Sequence, residues 1–153
     1  MFRAENSQST IRNSQFVHLC YAGLSGATTV ALNIARGSGV PRRHGFVFYG
    51  CEAPASAHVR AVEDLGCAWR YARKRAGVRP WVYRPVARAI AELHPTVAVL
   101  HGSRTLPVAL WLRGMRPGLR LVGVQHGPAR ELVELPRRVI SAAFGVATDR
   151  TVF

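Results

Sequence analysis

The sequence predicts one three-layer α/β domain on a doubly wound parallel sheet. Three observations carry that expectation. Short apolar runs alternate with stretches of helical periodicity, and the breaks between them are brief and rich in glycine and proline. Two of the runs, 96–100 (TVAVL) and 119–124 (LRLVGV), are almost wholly apolar, as befits strands buried on both faces.

Residues 1–15 are polar and read as a flexible leader, so the folded domain is expected over 16–153. The leader lacks the apolar stretch of a signal peptide, and no run reaches the ~20 apolar residues of a membrane span. A cytoplasmic protein is the expectation. The run 16–21 (FVHLCY) is the first strand, ended by Ala22-Gly23. Ala27, Val30, Ala31, Ile34 and Ala35 then mark one face of a helix, which Gly37, Gly39 and Pro41 stop. A second strand over 46–51 (FVFYGC) follows. His58, Ala61, Val62 and Leu65 form the next helical stripe, and 67–71 a third strand.

Val82, Val86, Ile90 and Leu93 repeat the helical face, with Pro85 tolerable only in a first turn. The fourth strand covers 96–100, a helix 106–115, and the fifth strand 119–124. A helix is expected over 136–144, then a last strand beginning at 145–147. This order is Rossmann-like, without internal repeats. Ligands of such sheets bind beyond the carboxyl ends of the strands. The positions of interest are therefore 22–27, Glu52, 101–104 and 125–130.

Charge and cysteine content narrow the function classes. The net charge is +13, and of 21 basic residues all but Lys74 are arginine, a bias that GC-rich coding also produces. Arg70, Arg73, Lys74, Arg75 and Arg79 form the one cluster, close to Trp69, Tyr71, Trp81 and Tyr83. Stacking on bases would suit that mixture. No nucleic-acid motif accompanies it, so nucleic acid is an unfavoured partner. Three cysteines without C-x-x-C spacing argue against a disulfide framework or structural zinc, and read as buried free thiols.

Within 22–27, Gly23, Ser25 and Gly26 sit between the first strand and its helix. Glycine lets a ligand approach the backbone, and the helix N-terminus favours anions, which suits a diphosphate. The glycines serving only the tight turn is the plainer alternative. Neither G-x-G-x-x-G nor G-x-x-x-x-G-K-[ST] is present, and Glu52 is too distant to be the usual acidic partner. Ser25 as a hydrolase nucleophile is disfavoured by its place on the first strand, and no histidine follows Asp149 to complete a triad. His101-Gly102 and His126-Gly127 repeat one pattern at two strand ends, where a histidine can hydrogen-bond a hydroxyl or phosphate. Arg104 and Arg130 lie close enough to neutralise phosphate. His18, His44, His58 and His94 read as structural or solvated. No H-x-x-x-H occurs, so no metal is expected.

These residues carry a resemblance. "SGATTVALNIARG" (25–37) resembles the segment opening the N-terminal domain of family 4-type, GT-B fold glycosyltransferases. "VAVLHGS" (97–103) and "LVGVQHGPAR" (121–130) resemble two later strands with terminal histidines, and "ISAAFGVATDRTVF" (140–153) the stretch leading to the domain hinge. The resemblance implies transfer of a sugar from a nucleotide-sugar donor, as substrate and without a cofactor or metal, to a glycan, lipid-linked or small-molecule acceptor. It implies a cytoplasmic enzyme, with peripheral contact at the inner membrane face. His126 would be the catalytic contact; Gly23, Ser25, Gly26, His101, Gly127 and Arg130 would line the substrates. Most donor contacts in that family come from a second domain. The 153 residues thus read as half of a GT-B fold, expected to have little turnover alone, with a separate donor-binding domain as partner. Thr28-Thr29 stand where the family often has a charged pair. The alternatives are a noncatalytic nucleotide- or glycan-binding module and an arginine-rich binder of nucleic acid or anionic surfaces.

Overall fold

The structure, a computed structural model, describes residues 14–77, 79–126, 143 and 146–152. Among them lie six strands: β1 (Phe16–Tyr21), β2 (His44–Gly50), β3 (Ala68–Arg73), β4 (Val97–His101), β5 (Arg120–Val124) and β6 (Arg150–Val152). All neighbours pair in parallel, in the order β3-β2-β1-β4-β5-β6. The order reverses between β1 and β4. That switch point is where open α/β sheets take ligands.

Among the described residues the outer layers include α1 (Gly26–Gly37), α2 (Ser56–Asp64), α3 (Arg84–Ala91) and α4 (Leu106–Met115). Alternate strand residues project to opposite faces. Val17, Leu19, Val47, Leu100 and Leu121 accordingly share one core with Val86 and Ile90 of α3 and Leu112 of α4. Cys20, Phe46 and Phe48 share the other with Ala31, Leu32 and Ala35 of α1 and Val62 of α2. Leu19, Phe46, Phe48, Ile90, Leu100, Leu112 and Leu121 are fully buried. Each such side chain contributes roughly 1.5–3 kcal/mol of transfer free energy, so the sheet's two faces hold the domain together.

The alternation read from the sequence holds, and the edges move. Gln15, at the end of the polar leader, is tied into the sheet: its N–H donates to Arg43 O at 2.9 Å, and its carbonyl accepts from Thr96 and Val97 N–H at 3.0 and 3.1 Å. The buried stripe of α1 is Thr28, Ala31, Leu32 and Ala35, whereas Val30 and Ile34 are exposed. The small side chains Ala31 and Ala35, common to both stripes, let the helix sit close on the sheet, and Leu32 rather than Ile34 fills the seam. Pro85 falls in the first turn of α3, where its missing N–H costs nothing. Cys51 is exposed, correcting the expectation of three buried thiols; Cys20 and Cys67 are buried.

The last strand is also corrected. Val146 and Ala147 are helical, and the strand is Arg150–Val152. Asp149 explains the shift, because its side chain fastens the chain to β5. Leu121 N–H donates to Asp149 Oδ2 at 2.6 Å, and Arg113 Nη2 donates to Oδ1 at 2.7 Å. The Leu121 amide, then Arg113, hold this carboxyl below the usual carboxylate range. Asp149→Ala is therefore expected to cost about 1–2 kcal/mol, discounted for a half-exposed side chain. Urea denaturation at pH 7 checks this.

Candidate functional site

The turn after β1 is pinned at its start. Ala22 N–H donates to Tyr49 O at 2.8 Å, and Ala22 O accepts from Ala55 N–H at 2.8 Å. Ser25 is the N-cap of α1, its hydroxyl accepting from Ala27 N–H at 3.2 Å. The hydroxyl is thus engaged in starting the helix. Gly23 and Gly26 are absent from the positive-φ positions, so space rather than backbone freedom distinguishes them. A Cβ on Gly23 would lie 2.6 Å from the Tyr21 ring, while one on Gly26 meets nothing within 4 Å. Gly26 therefore leaves the amino end of α1 open to an approaching group, and the helix field there favours negative charge.

On the other side of the switch point, β4 ends in His101, and Gly102 follows at φ +87, a backbone state that favours glycine. Beyond β5 comes His126, which is exposed. These histidines are two members of a chain of four. His44 Nδ1 lies 2.9 Å from His18 Nε2, His18 Nδ1 3.1 Å from His101 Nε2, and His101 Nδ1 3.1 Å from His126 Nε2. The His18 and His44 rings stack, as do those of His101 and His126. The chain runs diagonally from the start of β2, through the middle of β1, to the carboxyl edge of β4 and β5. His18 is fully buried, His44 and His101 nearly so.

Each link joins two ring nitrogens, so one must carry hydrogen and the other must not. A neutral chain then has two tautomer sets. With hydrogen on every Nδ1, each ring donates toward His126, and His44 Nε2 is a bare lone pair. With hydrogen on every Nε2, His44 is left with an N–H. Among the described residues His44 Nε2 is buried without a hydrogen-bond partner. Orphaned buried N–H groups are the rarer and costlier defect, which favours the first set. Nδ1–H of His126 is then the exposed terminal donor.

Burial keeps the chain neutral. It lowers His18 well below the ordinary imidazole value, aided by His101 and His44, and lowers His101 to about 3, aided by His126. Burial lowers His44 and His126 as well. His126 is thus a neutral donor at pH 7. The Cys20 thiol, pushed up to about 12 by burial, is inert there.

The structure brings Gly23, Ser25, Gly26, His101 and His126 to one edge of the sheet. Gly127 and Arg130 lie outside the described residues. Sequence reasoning missed His18 and His44 as partners of the site. The available signal was a histidine inside an otherwise apolar strand, with another at the head of the next. Among the described residues, no cluster of histidine, cysteine or carboxylate side chains is suited to a metal, and no helix is long and apolar enough to cross a membrane.

No protein-family model matches the chain, and no curated protein matches it. Among solved structures it is similar to an NADH-dependent reductase, A1-R', complexed with NAD. The TM-score is 0.53 at 10% identity, over 90% of this chain and 70% of that one. That likeness supports the Rossmann-like fold and, at such identity, the fold alone.

Proposed function

We propose that this domain is the acceptor-side domain of a family 4-type glycosyltransferase, acting on a nucleotide-sugar donor and a glycan, lipid-linked or small-molecule acceptor. The observation that carries the reading is His126: a neutral, exposed donor at the carboxyl end of β5, held by His101 across the switch point from an open helix N-terminus. In this reading Nδ1–H of His126 donates to an oxygen of the sugar being transferred or of its acceptor. The first-turn amides of α1, beside Gly26, favour the charge growing on the departing diphosphate. Because His126 is neutral, it orients and stabilises without delivering a full positive charge. The donor is a substrate, so the chemistry calls for no cofactor or metal. A second, donor-binding domain completes the cleft, and a lipid-linked acceptor would bring the protein to the inner membrane face.

A second reading, a noncatalytic nucleotide-binding module, is favoured by the strand order, which is that of dinucleotide-binding domains. The reductase similar in fold binds NAD. Against it stands the absence of G-x-G-x-x-G.

The test joins this domain to the donor-binding domain of a family 4-type enzyme. Release of nucleoside diphosphate from UDP- and GDP-sugars is measured with glycan and lipid-linked acceptors present. Turnover is expected, falling about 10²–10³-fold in His126→Ala, the scale of a lost oxyanion-type donor. If the fusion is silent, ring signals of His126 in the isolated domain must still shift with a donor or acceptor from the panel. A folded domain whose His126 ignores the whole panel contradicts the reading. NAD binding unaffected by His126→Ala supports the second one.

A further inference from the structure

An open cavity of about 1150 Å³ lies past the carboxyl ends of β2 and β3, on the other flank of the edge that bears His126. Arg73, Arg75 and Arg79 line it, with Trp81 and the exposed Cys51. The residues after β3, 74–77, are held in place from within. Lys74 N–H donates to Gly50 O at 2.8 Å, which fastens the loop to the end of β2. Lys74 Nζ donates to Arg75 O at 3.0 Å and to Gly77 O at 2.6 Å, and lies 4.7 Å above the Tyr83 ring. Near Arg79, Trp111 Nε1 donates to Pro80 O at 2.9 Å. Lys74 is thereby spent on the loop itself. The three arginines make no ion pair among the described residues, whereas Arg70, Arg88 and Arg113 do. Arg79 stacks on Trp81, its guanidinium 5.4 Å from the ring centroid. Glu52, next in sequence to the lining Cys51, is exposed and does not line the cavity.

We infer that this cavity is a binding site for a small phosphorylated ligand, a sugar phosphate in chemical class. Guanidinium groups present paired N–H donors that match phosphate oxygens, and three without ion pairs around one concavity give an anion site. The indole of Trp81, 59% exposed, offers a flat face for the apolar side of a sugar ring. The charges converge on one concavity with a single exposed aromatic. An extended strand of nucleic acid instead calls for a stripe of charge and successive stacking platforms. At about 1150 Å³ the concavity is open and somewhat larger than the ~300–1,000 Å³ of typical small-molecule sites, with room for a sugar phosphate. Being separate from the His126 edge, the inference does not depend on sugar transfer.

Calorimetric titration of the whole chain with inorganic pyrophosphate, a hexose 1-phosphate and the free hexose tests it. Both phosphorylated probes should bind, the free hexose should not, and added salt should weaken binding. The triple variant Arg73→Gln, Arg75→Gln, Arg79→Gln changes exposed side chains only and should lose at least tenfold in affinity for both. Trp81→Ala should weaken the hexose 1-phosphate and spare pyrophosphate. Vesicles with and without phosphatidylglycerol, run alongside, separate a lipid headgroup from a free phosphate ester as the source of the anion. Binding unchanged in the triple variant, or no binding of either phosphorylated probe, overturns the site. A single-stranded RNA that displaces the hexose 1-phosphate and binds far more tightly overturns the ligand class. Loss of this site with His126 still responding to donors leaves the transferase reading intact, and the converse holds too.

Discussion

Lowering the pH from 7 to 4.5 is expected to destabilise this domain strongly. The cause is the buried histidine chain. An unfolded histidine takes up a proton near pH 6.5. His101 in the fold resists protonation down to about 3, and His18, fully buried, is also held well below the ordinary value. Between those limits the unfolded chain binds more protons than the folded one, so stability falls with falling pH. The stability is fully present above pH 6.5 and is withdrawn as the pH drops toward the folded values. Each histidine withdraws about 1.4 kcal/mol per pH unit. His101 alone withdraws about 2–3 kcal/mol between pH 6.5 and 4.5, and His18 adds to the loss in the same direction, a large share of the stability of a small domain. Urea denaturation followed by circular dichroism at pH 7.5, 6.0, 5.0 and 4.5 should show the midpoint falling at every step. A midpoint that does not move between pH 7.5 and 5.0 would contradict the neutral chain.

Removing the middle of that chain has an effect of similar size. His18→Leu fills most of the ring's volume but strands His44 Nδ1 and His101 Nε2, both buried. An orphaned buried polar group costs about 1–3 kcal/mol, so the substitution should cost about 3–5 kcal/mol in all. The double variant His18→Leu, His44→Leu removes one of the two stranded partners together with the existing orphan at His44 Nε2. It should therefore be less destabilised than the sum of the singles, with a coupling of about 0.5–3 kcal/mol. Urea midpoints of the four proteins in the cycle measure it. A cost below about 1 kcal/mol for His18→Leu would mean that the ring contacts carry little energy. Additive singles would mean that the rings do not act as a chain.

The fold was legible because burial on both faces leaves a one-dimensional trace. β1 and α4 were bounded to the residue, since their apolar patterns stop at Gly23 and at Pro117-Gly118. The face of α1 was misjudged because Val30 and Ile34 are as apolar as the stripe beside them, and only packing on the sheet chooses between the two. β6 was placed too early because it is set by a side-chain contact, Asp149 to the Leu121 amide, that no periodicity records. The site was legible in part. His101 and His126 stood out because each precedes a glycine at a strand end. His18 and His44 did not, because their partnership exists only through register: β1 lies between β2 and β4, with His18 opposite Phe46 and Val99. Ser25, a candidate ligand contact in the sequence, caps α1 in the fold. Local chemistry alone does not separate those roles.

The account turns on His126 as the exposed, neutral donor at the end of a directional chain. A nitrogen-15 spectrum of the histidine rings, recorded at pH 7 with and without nucleotide-sugars and glycan acceptors, tests this most directly. The prediction is that His126 carries its hydrogen on Nδ1, shares that tautomer with His101, and shifts when a donor or acceptor is added, while His58 and His94 do not. Hydrogen on Nε2 of His126, with no response to any member of the panel, would contradict it.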